Sequence, residues 1–115
     1  MRTLLLNFLL ATAAFAADIT GSWIFNVETQ AGTGNPTFKF EQKGEQLTGA
    51  YQGALGDAKL TGTVKGDKLE FQFEVSTGGQ TMKVEYKGTI ESSTKMKGTG
   101  KYDQLGEATW TATKQ

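Results

Sequence analysis

The sequence predicts an all-β fold, an eight-stranded antiparallel up-and-down barrel, and three observations carry that reading. Apolar residues recur at every second position through nearly the whole chain after residue 17. This is the period of a strand with one buried face. Short turn signals rich in glycine separate the runs, and no stretch after residue 17 has the 3.6-residue period of a helix. Five glycines (Gly49, Gly62, Gly88, Gly98 and Gly100) fall on the buried parity, where a closing sheet has to coil sharply. A sandwich of two four-stranded sheets meets the same pattern and stands as the alternative.

The chain opens with a different kind of segment. Arg2 gives a positive start, Leu4 to Phe15 is mostly apolar, and Ala14-Phe15-Ala16 places small residues where a signal peptidase reads. Residues 1–16 therefore read as a cleaved signal peptide, and residues 17–115 as one domain. The apolar run is shorter than the roughly 20 residues a membrane helix needs. The expected location is exported, in a periplasm or outside the cell.

Eight runs follow. They are Trp23-x-Phe25-x-Val27, Phe38-x-Phe40, Leu47-x-Gly49-x-Tyr51 and Leu60-x-Gly62-x-Val64. Then come Leu69-x-Phe71-x-Phe73-x-Val75, Met82-x-Val84-x-Tyr86-x-Gly88-x-Ile90, Met96-x-Gly98-x-Gly100-x-Tyr102 and Ala108-x-Trp110-x-Ala112. The alternate positions are Thr, Lys, Glu and Gln, the wet side of an antiparallel sheet. Lys43-Gly44, Lys65-Gly66-Asp67 and Ser92-Ser93 read as tight hairpin turns at one end. Longer links at 29–35, 53–56, 77–80 and 103–106 define the other end, a mouth where loops can carry function. The stretch from Thr29 to Asn35 reads as the longest and most flexible of them. The segments 47–58 and 96–108 echo each other, which fits either shared hairpin chemistry or duplication, and bring Leu55 and Leu105 to the mouth.

Composition narrows the chemistry. After residue 16 the chain has eleven lysines against twelve carboxylates, with no Arg, His or Cys. It therefore lacks an ordinary general base near neutral pH, a thiolate nucleophile and a soft metal ligand. It also lacks a bidentate clamp for phosphate, and any disulfide. The balanced charge speaks against nucleic acid. Asp57, Glu107, Asp103 and Glu28 are the carboxylates nearest the mouth, but they read as solvated turn and strand-end charges. No loop has the acidic density of a calcium site. The expectation is a protein that is not an enzyme, with no metal, no cofactor, no membrane insertion and, given its polar outer parity, a monomer.

Ten aromatic residues share the inward parity: Trp23, Phe25, Phe38, Phe40, Tyr51, Phe71, Phe73, Tyr86, Tyr102 and Trp110. They fill the interior, or they line a space for one small ligand, since an eight-stranded barrel is just wide enough for either. Under the second reading Asn35, Tyr51, Tyr86, Tyr102 and Trp110 bind a small apolar or aromatic ligand at the long-loop end. Gln30, Leu55 and Leu105 then form the rim. Under the first, the barrel is a solid accessory module that meets a secreted protein or a polysaccharide through its surface. Trp23 starts the first strand at the tight-turn end and reads as structural.

Two stretches add a resemblance. Gly21-Ser22-Trp23 resembles the Gly-x-Trp opening of lipocalins and avidins, and Leu47-Thr48-Gly49-Ala50-Tyr51 resembles the third strand of avidin-like proteins. The resemblance implies a calycin-type barrel whose first Trp seals the closed end. It does not imply biotin binding. Only Tyr51 matches a ligand position; Phe25 stands where Asn is expected, Gly53 where Ser is expected, and two Trp cannot build the avidin tryptophan box.

Overall fold

The computed structural model describes residues 17–103 and 106–115, so the leader expected over 1–16 and the rim residue Leu105 lie outside the described residues. The described chain is all strand and turn: β1 (Gly21–Thr29), β2 (Gly32–Gly34), β3 (Thr37–Lys43), β4 (Gln46–Gly53), β5 (Gly56–Lys65), β6 (Lys68–Thr77), β7 (Gln80–Ser92), β8 (Lys95–Tyr102) and β9 (Gly106–Lys114). From β3 to β9 each strand pairs antiparallel with the next, β1 pairs with β3, and β1 also pairs with β9 from Trp23↔Lys114 to Glu28↔Thr109. That last pairing closes the sheet and excludes the sandwich. The barrel has eight strands, and β2 is an extra one.

Closure follows from the sequence pattern. All ten inward aromatics are buried, and the exposed positions between them are Lys, Glu, Gln and Thr. Ile24 is the exposed large apolar residue among those described, so the outer wall has no apolar band of the kind a lipid-facing barrel carries. Phe25 sits at the centre, with ring centroids 4.4 Å from Phe38 and 4.6 Å from Trp110. Phe71, Phe73 and Tyr86 pack around the same cluster. The middle of the barrel is therefore filled by rings at ordinary aromatic spacing.

Glycine makes room for one of these rings. Gly88 on β7, Gly98 on β8 and Trp110 on β9 lie side by side in register. A Cβ on Gly88 would stand 2.5 Å from the Trp110 ring, and one on Gly98 2.7 Å from it. The indole lies across both backbones, and its Nε1–H donates to the Thr99 carbonyl at 2.9 Å.

The tight-turn end is closed. Residues 17–20 cross its opening, with Ile19 fully buried. Gln42 holds this segment from both sides: its Oε1 accepts from the Ile19 N–H at 3.0 Å, and its Nε2 donates to the Ala17 carbonyl at 2.7 Å. Trp23, also fully buried, donates its indole N–H to the Ile19 carbonyl at 2.9 Å. Trp23 thus lies where the sequence puts it, under a plug formed by the residues just before it.

The opposite end departs from expectation in two respects. The links 53–56 and 77–80 are two-residue turns, Ala54-Leu55 and Gly78-Gly79. Gly78 and Gly79 both take positive φ, 58° and 82°, as a type I′ hairpin turn requires. The segment after Thr29 is also no simple flexible loop, because Gly32–Gly34 returns along β1 in the pairs Val27↔Gly34 to Thr29↔Gly32. The upper half of β1 is paired with β2, and only its lower half, Gly21 to Ile24, with β3. The wall between β1 and β3 therefore splits near the mouth.

Candidate binding site

The split in the wall shapes a cleft of about 430 Å³ at the mouth. One side is the β1–β2 hairpin, from Val27 and Thr29 through Ala31 to Pro36. The other is the Ala54-Leu55 turn, and the floor is Tyr51 and Tyr102. No side chain in this lining carries a charge.

Local bonds fix each wall. At the split, the Phe25 N–H donates to the Pro36 carbonyl at 3.0 Å, and the Asn35 Nδ2 donates back to the Phe25 carbonyl at 3.4 Å. These bonds stand in for the ladder that β3 no longer supplies. Across the cleft, the Leu55 N–H donates to the Tyr51 hydroxyl at 3.3 Å, tying the turn to the floor. Gly53 leaves space for that hydroxyl, since a Cβ there would stand 2.5 Å from it and 3.0 Å from Pro36 Cβ. Tyr51 also stacks on Phe73 at 4.5 Å, which joins the floor to the ring cluster below.

The Tyr102 hydroxyl meets that of Tyr86 at 2.5 Å. Burial raises the Tyr51 and Tyr102 hydroxyls above the ordinary tyrosine pKa, and raises Tyr86 much further. All three stay protonated and neutral through the usual pH range.

Of the residues singled out from the sequence, Asn35, Tyr51, Tyr102 and Leu55 line this cleft. Tyr86 and Trp110 lie outside its lining. Tyr86 is not near a strand end: it is the midpoint of the thirteen-residue β7, which runs to the tight turn at Gly78-Gly79, so it sits one layer below Tyr102. Trp110 is turned away over the glycine pair, where the missing Cβ atoms give its ring a bed. Gln30 is at the exposed tip of the β1–β2 turn, and its neighbour Ala31 faces the cleft instead. Thr33, Gly34 and Pro36 also line the cleft; the sequence places the link 29–35 at the mouth but not the β2 strand within it, because β2 has no apolar alternation and its short return along β1 is a backbone event. None of Glu28, Asp57, Asp103 and Glu107 lines the cleft, and the Asp103 carboxylate accepts from the Lys83 N–H of neighbouring β7 at 3.0 Å.

Fold and site together define a class: a small closed up-and-down β-barrel, plugged at one end and open at an uncharged mouth. No family model matches the chain, and no curated protein matches it. Solved structures similar to it are designed barrels. The redesigned β-barrel b11L5F_LGL is 22% identical, with a TM-score of 0.71 over 84% of this chain and 91% of that one. The redesigned β-barrel mFAP0, bound to DFHBI, is 22% identical, with a TM-score of 0.66 over 84% of this chain and 98% of that one. A de novo designed fluorescence-activating β-barrel is 16% identical, with a TM-score of 0.62 over 84% of this chain and 93% of that one. At these identities the likeness is one of fold. Of what the lipocalin- and avidin-like stretches of β1 and β4 imply, the barrel architecture is present.

Proposed function

We propose that the protein is a non-catalytic, extracytoplasmic barrel that binds one small apolar or aromatic molecule in its mouth. The observation that carries this reading is the cleft of about 430 Å³, walled by uncharged residues and floored by two tyrosines. Small-molecule sites are concave and mostly apolar, with a few placed polar groups, and this cleft has that make-up. The aromatic cluster beneath it supports a site confined to the mouth, because rings occupy the middle of the barrel. Two of the similar designed barrels, mFAP0 and mFAP1, are bound to DFHBI, which supports the same use of this architecture. The leader-like residues 1–16 support export, and the lack of His, Cys and Arg after them supports a role without catalysis.

The filled interior also favours a second reading, a solid accessory module that works through its surface. Thermal unfolding against a panel of neutral aromatic compounds separates the two. The binding reading expects a concentration-dependent rise in Tm that Leu55→Trp, which fills the mouth, abolishes. A flat response across the panel would leave the solid module.

A further inference from the structure

The hydroxyl protons at the mouth can be traced one by one. Tyr51, Tyr86 and Tyr102 are the three tyrosines of the chain, and each is more than nine-tenths buried. A hydroxyl has one proton to donate and two lone pairs to accept with. The Tyr51 oxygen accepts from the Leu55 N–H, so that bond leaves the tyrosine's own proton unused. Among the described residues no acceptor takes it. Tyr86 lies below the cleft, and its hydroxyl meets that of Tyr102 and no other described acceptor. Either hydroxyl of this pair can donate to the other; when the deeper one does, its proton is satisfied inside the barrel and the Tyr102 proton is left to face the mouth.

In that arrangement both floor tyrosines receive a bond from the protein and have a proton to give. The Asn35 amide nitrogen gives one of its two protons to the Phe25 carbonyl, on the wall of the cleft and not on its floor. No Lys, Asp or Glu reaches the lining, so an ionic ligand would shed water and meet no counter-charge. We infer that the mouth selects an uncharged ring compound bearing a carbonyl oxygen, a ketone, quinone or amide, which accepts the protons of Tyr51 and Tyr102. This rests on the mouth being the binding site and adds the chemistry that the site reads.

Three probes of one shape test it: 1-indanone, its hydrocarbon indane, and indane-1-carboxylate. Titrated into the purified protein, indanone is expected to bind at least tenfold more tightly than indane, and the carboxylate more weakly than either. Tyr51→Phe and Tyr102→Phe should each reduce the preference for the ketone several-fold while leaving indane binding unchanged. Tyr86→Phe should keep the preference, because its hydroxyl does not face the ligand. The infrared carbonyl stretch of bound indanone should move to lower frequency and move back in either floor variant, which a merely structural effect would not cause. Equal binding of indanone and indane, or a preference that survives both floor variants, would overturn the inference and leave the mouth reading standing. Failure of all three probes to bind would remove both.

Discussion

The two ends of this barrel are built from the same strands and behave in opposite ways. At the base the chain preceding β1 folds under the opening, and Gln42 and Trp23 each bond to it, so the end is sealed by dedicated contacts. At the mouth β1 parts from β3, takes up the short β2 instead, and leaves a cleft between that hairpin and the Ala54-Leu55 turn. The difference lies in where each end commits its polar groups. The buried indole N–H at the base has a backbone partner, whereas the Tyr51 hydroxyl at the mouth accepts from the Leu55 N–H and gives its own proton to no acceptor among the described residues. An end whose polar groups are satisfied is structural, and one that holds donors in reserve can recognise something.

Stability should be concentrated at the base. Trp23→Ala is expected to lower the unfolding free energy by about 3–5 kcal/mol, because it empties a fully buried indole site that the plug cannot refill. Denaturant unfolding measures this, and affinity at the mouth, measured on the folded fraction, should not change. A loss of affinity equal to that of a floor variant would mean that the two ends are not independent. Gln42→Ala removes the bonds that hold residues 17–20 and is expected to cost about 1–2 kcal/mol. It should also speed amide exchange at Ile19 and leave Leu55 unaffected.

The mouth should show the reverse balance. Gly53→Ser places a side chain where the Tyr51 hydroxyl now lies. It is expected to cost about 1–3 kcal/mol, since the buried ring is stacked on Phe73 and must shift, and to weaken any mouth ligand about tenfold. Full affinity in this variant would show that the Tyr51 position does not matter.

The smallest effect near neutral pH concerns the tyrosines themselves. Folding raises all three hydroxyls above the ordinary value, so their contribution is complete below pH of about 10. Above that the unfolded chain loses protons that the folded chain keeps, and stability falls as pH rises. Unfolding free energy should thus be insensitive to tyrosine ionisation through the neutral range and decline in alkali. Tyrosinate absorbance should appear only as the protein unfolds. A normal tyrosine titration in the folded state would show that the floor hydroxyls are wet.

Much of this arrangement is legible in the sequence, and the parts that are not share a cause. Period-two alternation marks all eight barrel strands and the inward parity of every buried ring, because burial acts on side chains. Trp23 at the base is legible for the same reason. The depth of Tyr86 is legible too, since it is the centre of the run from Met82 to Ile90, and that position sets it below the mouth. The β2 strand is not, since Gly32-Thr33-Gly34 pairs through backbone alone. The four mouth residues found from sequence, Asn35, Tyr51, Leu55 and Tyr102, sit where strand parity and turn position agree. Trp110 has the right parity, but its ring direction is set by two glycines on neighbouring strands, a relation only the folded register reveals.

The most direct test of the contrast is to map one neutral aromatic ketone onto the backbone by following amide chemical shifts during a titration with 1-indanone. The two-ended account expects shifts at Ala31 to Asn35, at Tyr51, at Ala54 and Leu55, and at Tyr102, with none at Ile19, Trp23 or Gln42. Shifts centred on the base or on the outer wall, with the mouth unchanged, would contradict it.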